Sequence, residues 1–124
     1  EPGAGNLISG NPGNGISIND GMRYFGYVHI EGNLIGTDPT GTSALPNGSD
    51  GIYLGAGGNV WIGGRQPGQG NVIAGNGHWG IFQRDNWRAP YSRIENNRIG
   101  LGADGVTPEG RRLIPARRIS VPGV

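Results

Sequence analysis

The chain has 124 residues, enough for one domain, and its 27 glycines follow no Gly-X-Y period, so a collagen-like rod is excluded. Cysteine is absent, which excludes disulfides, cysteine–zinc sites and thiol catalysis. Ten arginines, no lysine and nine acids leave a formal net charge of +1, so no global field draws the chain to nucleic acid or membrane.

No run of 18 apolar residues exists, so no membrane-spanning helix is expected, and no basic-then-apolar leader opens the chain. The first residue is Glu1 rather than Met, and the expectation is a piece of a longer protein. Glycine interrupts every stretch that could hold an apolar stripe at helical spacing, so no significant helix is expected. Short alternating triplets appear instead, and these read as strands with one buried face between Gly, Asn and Pro turns.

Taken in order, the triplets fall into four copies of one unit. The first copy holds Asn6-Leu7-Ile8, then Gly15-Ile16-Ser17-Ile18, then Val28-His29-Ile30. The second holds Asn33-Leu34-Ile35, Gly51-Ile52-Tyr53-Leu54 and Val60-Trp61-Ile62. The third holds Asn71-Val72-Ile73, Gly80-Ile81-Phe82-Gln83 and Ser92-Arg93-Ile94. The fourth is degraded: Asn97-Arg98-Ile99, something near Leu113-Ile114, then Ile119-Ser120-Val121. Successive copies start 27, 38 and 26 residues apart, so a short copy alternates with one carrying a long loop. The long loops are 36–42 and 100–106, with Asp38 and Asp104 in similar places. Extra loops of this kind lie on one face of a solenoid and leave its stack intact.

These repeats predict an all-β chain: a right-handed parallel β-helix, or β-solenoid, of about four coils with three short strands each. The coils run roughly over 5–31, 32–69, 70–95 and 96–124 of a single domain. Each coil pairs in parallel with its neighbours, and a few inward Ile, Val and Leu per coil make the core. Asparagine fits a corner because it tolerates left-handed backbone and bonds neighbouring backbone groups, so the recurrent Asn6, Asn33, Asn71 and Asn97 read as corner residues stacked in an amide ladder; four independent turn asparagines are the plainer alternative.

The phrases GNLIGTDPTGT, GNVIAGNG and NVWIGG resemble the repeats of bacterial right-handed parallel β-helix proteins, the pectate-lyase-like superfamily. The likeness runs to about Ile99; beyond it Pro115 falls where a strand should pair. It implies either a large secreted or cell-surface protein with no role attached, or a protein that degrades, modifies or binds polysaccharides, without choosing among these.

Outward positions are where a partner would touch. On the third-strand face they stack as His29, Trp61, Arg93 and Ser120; on the second as Ser17, Tyr53 and Phe82. On the first they are Leu7, Leu34, Val72 and Arg98, either an exposed apolar stripe or residues turned into the core by the corner. Asp20, Arg23, Tyr24 and Tyr27 match Asp85, Arg88 and Tyr91, with Trp87 between, in the connections from second to third strand. Rings beside Asp and Arg suit a sugar or a protein partner; an Asp–Arg pair pinning a loop is the ordinary alternative. Arg111, Arg112, Arg117 and Arg118 read as a solvated face rather than a polyanion site.

Chemistry is sparse. Glu31 and Glu95 follow Ile30 and Ile94 two coils apart, roughly 10 Å, near the upper limit for a carboxylate pair in a hydrolase. Repeat geometry accounts for that placement, so no catalytic residue is assigned. Asp38 and Asp104 are weak calcium candidates; His29 and His78 match no metal spacing, and no cofactor is expected. The reading is therefore a non-enzymatic, extracellular structural or adhesive solenoid. Its partners are copies stacked end to end or neighbouring coils of a longer chain, with polysaccharide possible as ligand in the alternative reading.

Overall fold

The computed structural model describes residues 5–19, 27–55, 59–84 and 92–100, and within these it holds ten short strands and no helix. The strands are β1 (Leu7–Ile8), β2 (Ile16–Ile18), β3 (Tyr27–Ile30), β4 (Leu34–Ile35), β5 (Ile52–Leu54), β6 (Asn59–Gly63), β7 (Val72–Ile73), β8 (Ile81–Gln83), β9 (Arg93–Glu95) and β10 (Arg98–Ile99). They form three sheets, ordered β1-β4-β7-β10, β2-β5-β8 and β3-β6-β9, and every pairing between these strands is parallel. Each strand pairs with its counterpart one coil away, which is the parallel β-helix: three coils and the first strand of a fourth.

The register lines up like with like. Ile8, Ile35, Ile73 and Ile99 form one inward column; Ile30, Ile62 and Ile94 form another; Ile16, Ile52 and Ile81 form a third. The middle coil is closed above and below, so Ile35, Ile52, Leu54, Val60 and Ile62 are no more than 1% exposed, whereas Ile8, Ile16, Ile18 and Val28 of the first coil are only partly buried. Each fully buried aliphatic side chain contributes about 1.5–3 kcal/mol. A slip of one residue would turn every one of them outward, so the register is strongly specified.

The corners are polar and equally ordered. Asn6 donates from its backbone N–H and side-chain Nδ2 to Asn33 Oδ1 (2.9 and 3.3 Å). Asn33 does the same to Asn71 (2.9 and 3.0 Å), and Asn71 to Asn97 (3.0 and 2.8 Å). Nδ2 of Asn71 and of Asn97 also donates to the Ile30 and Ile62 carbonyls, tying each corner to the third-sheet strand one coil back from the strand that leads into it.

The reason for asparagine there differs from the sequence argument. None of the four has a positive φ; the left-handed residues are the ones just before, Gly32 (φ +69°) and Asn96 (φ +56°). Asparagine is used as an acceptor and donor between coils, not for its tolerance of left-handed backbone.

A second column, Asn11–Asn47–Asn76, stacks at the corner before the second sheet. Asn11 donates to Asn47 Oδ1 at 2.9 Å from Nδ2, and Asn47 to Asn76 Oδ1 at 2.8 Å. Asn47 and Asn76 also donate to the Ile8 and Ile35 carbonyls. The long loop after β4 is pinched shut by an antiparallel bridge between Thr37 and Ala44, so it leaves and rejoins the coil at one point.

Candidate binding site

The site begins with the outer face of the third sheet. Strand alternation points His29, Trp61 and Arg93 outward at one register, stacked along the axis. The His29 ring meets Trp61 edge-on with centroids 4.9 Å apart, and the Arg93 guanidinium lies 5.0 Å from the Trp61 ring centroid. Tyr27, one of the anticipated ligand residues, is 46% exposed and packs its ring 4.9 Å from Trp61. Trp61 is thus the hub of this face.

Beside it runs a second row. The residues following Ile30, Ile62 and Ile94 are Glu31, Gly63 and Glu95, with Gly63 paired to Glu95. The middle rung carries no side chain. A recess of about 220 Å³ opens there, lined by Trp61, both glutamates, Arg65 and Gln69 among others. Glu31 Oε1 faces His29 Nδ1 at 3.1 Å, and Gln69 Nε2 donates to Glu31 Oε2 at 3.4 Å. Arg65 Nη2 donates to Glu95 Oε1 at 3.4 Å.

Arg65 and Gln69 were not legible as site residues, although the insertion that carries them was visible in the spacing. Eight residues separate Ile62 from Asn71, where two separate Ile30 from Asn33 and Ile94 from Asn97. The extra residues form a ridge, closed by Gln69 N–H to the Gln66 carbonyl and Gln66 N–H to Gln69 Oε1. Two further recesses border this ridge, one reaching Val72 and Arg98 and one reaching Gly5 and Gly32.

The remaining candidates are dispersed. Leu7 is 45% exposed and Leu34 half-buried, but Val72 is buried, so the outward row of the first sheet is not a continuous apolar stripe. On the second sheet Tyr53 and Phe82 stack in parallel at 5.7 Å. Asp38 Oδ1 accepts from the Thr40, Thr42 and Ser43 N–H groups and the Thr40 hydroxyl, and the hydroxyl bond first among these holds its carboxyl below the usual value of 3.8. That oxygen is surrounded by donors, whereas calcium needs converging oxygen acceptors. Among the described residues no group of three His, Asp or Glu could hold a metal. His78 pairs with the buried Asp50, whose Oδ1 also accepts from the Trp79 N–H; both bonds are 2.9 Å. Asp20, Arg23, Tyr24, Asp85, Trp87, Arg88, Tyr91, Asp104, Ser120 and the four C-terminal arginines lie outside the described residues.

No family model, curated protein or solved structure matches this chain.

Proposed function

We propose that the chain serves as an extracellular structural or adhesive β-solenoid that works without catalysis. One observation carries this reading: the outward rows are satisfied along the coil axis rather than gathered around a reacting centre. The Trp61 ring is engaged by His29 and Arg93, and Tyr53 by Phe82. Glu31 and Glu95 are held two rungs apart, about 9.6 Å along the axis, each already bonded to a neighbour on its own side. Stacked columns of this kind stiffen a rod and offer a long, fixed surface.

A concentration series by negative-stain electron microscopy tests the reading. Uniform narrow threads that lengthen with concentration are expected, and an Asn6→Arg variant should shorten them by blocking one end of the ladder. Particles of one small size at every concentration would remove end-to-end stacking. New reducing ends released from a polysaccharide panel would overturn the non-catalytic role.

A second reading is favoured by the ring pair Tyr27–Trp61 beside carboxylate, guanidinium and amide groups: carbohydrate binding at this face. Rings cover sugar faces while charged groups bond hydroxyls. Trp61→Ala should then abolish retention on a glycan array, and equal signals from both proteins would dismiss it.

A further inference from the structure

We propose that the recess over Gly63 is a binding site for a guanidinium group, the arginine side chain of a partner polypeptide, and that Arg65 is its internal, displaceable stand-in. The inference does not depend on the scaffold reading. Its starting point is the row Glu31–Gly63–Glu95, in which two carboxylates flank a rung that has no side chain.

That rung is obliged to stay empty. Gly63 sits at φ +82°, and a Cβ there would lie 1.9 Å from the Glu95 carbonyl oxygen. The gap is therefore a fixed notch, bounded by carboxylates about 9.6 Å apart along the axis. A guanidinium is flat and presents five N–H donors in a rigid fork, so it can reach acceptors on two sides where a compact ammonium reaches one. The Trp61 wall already holds one such group, since the Arg93 guanidinium lies against its ring.

The charges favour a cation at the Glu31 side. Among the described residues Glu31 forms no pair with an arginine; its partners are an imidazole and an amide, the latter at 3.4 Å. Glu95 does have a guanidinium partner, and its geometry is informative. The Arg65 bond is 3.4 Å, long for a charge-assisted contact, and the Arg65 side chain is 75% exposed while Glu95 is 29% exposed. An exposed pair this loose holds little free energy and is readily exchanged for a better-seated group. The recess thus binds a guanidinium weakly from its own chain and has the room, about 220 Å³, and the second carboxylate to bind another one well.

The test is a titration of the purified chain with an acetyl-Gly-Arg-Gly-amide peptide, followed by NMR shifts of the Trp61 indole N–H. The peptide with citrulline in place of arginine, and a glucosamine oligomer, serve as comparators. Arginine should bind saturably and citrulline at least about tenfold more weakly, the loss expected when hydrogen bonds to a charged group are removed. Glu31→Gln should weaken arginine binding by a similar factor. Arg65→Ala should instead tighten it several-fold, because the internal competitor is gone. That sign separates a stand-in from a ligand-binding arginine, and the variant removes a largely exposed side chain, so circular dichroism should match wild type. Equal binding of arginine and citrulline, an Arg65→Ala variant that binds no better, or no saturation with arginine would each overturn the proposal. Tighter binding of the glucosamine oligomer would overturn it in favour of the glycan reading.

Discussion

Replacing Asn71 by alanine should be among the most damaging polar substitutions in this chain. Asn71 is 1% exposed and makes four side-chain-mediated bonds across coils. Its Oδ1 accepts from the Asn33 N–H and Nδ2, and its Nδ2 donates to Asn97 Oδ1 and the Ile30 carbonyl. Alanine deletes all four and leaves the buried Asn33 N–H without the acceptor it has in the ladder. At about 1 kcal/mol for each net bond the loss is roughly 4 kcal/mol, and more where a buried group is stranded. That is a large part of the ~5–15 kcal/mol by which a domain is stable. Asn6→Ala is the internal control. Asn6 is exposed, and alanine there removes only the 3.3 Å Nδ2 bond while the backbone donor stays, so the expected cost is about 0.5 kcal/mol. Urea unfolding followed by circular dichroism gives both values. Equal costs for the two variants, or less than about 1 kcal/mol for Asn71→Ala, would refute the claim that the ladder contributes as a set of buried bonds.

Other substitutions probe the remaining terms. Asn47→Ala should behave like Asn71→Ala, since Asn47 is fully buried and bonds Asn11, Asn76 and the Ile8 carbonyl; a cost below about 1 kcal/mol in the same urea assay would contradict the second ladder. Ile73→Ala, at a position with no exposure, should cost about 2–5 kcal/mol, against well under 1 kcal/mol for the exposed Leu7→Ala in thermal unfolding. Gly63→Ala should lower the melting temperature sharply, because about 1–2 kcal/mol of left-handed strain adds to a backbone clash. Asp38 has a folded-state carboxyl below its ordinary value of 3.8, so the stability it adds is present above that value and lost as pH falls through the lower folded value. The melting-temperature gap between wild type and Asp38→Ala should therefore be constant from pH 7 to 5 and close only under strong acid. A gap that closes near neutrality would mean another group carries it.

The strands and their partners were legible because inward residues repeat every coil and alternate within each strand. Ile35, Ile62 and Ile73 could be placed in the core from period alone. The second ladder was hidden by counting forward from each coil's first strand, where the loop over 37–44 displaces Asn47. Counted back from the second strand, the spacing is constant: Asn11, Asn47 and Asn76 each precede Ile16, Ile52 and Ile81 by five residues. The recess was half legible. Equivalent placement of Glu31 and Glu95 followed from the repeat, but Arg65 and Gln69 sit in an insertion with no counterpart, so no period could direct them to it. The left-handed residues were misplaced by one, because backbone conformation at a corner is set by which residue turns and not by which residue bonds.

The direction of the two ladders limits how such a stack can be extended. In both columns each asparagine donates to the Oδ1 of the next coil and accepts from the one before. Among the described residues, Asn6 Oδ1 receives no donor and the Asn97 N–H finds no acceptor. One end of the column therefore offers acceptors and the other donors. Two like ends brought together would face acceptor with acceptor, leaving polar groups unpaired at about 1–3 kcal/mol each where they are buried. A coil added in the same sense continues both ladders at their own pitch. Whatever extends this stack, a neighbouring coil or a second copy, must then arrive head to tail. A head-to-tail contact between stacked coils repeats along a line instead of closing on itself, which is the geometry that the proposed end-to-end stacking requires.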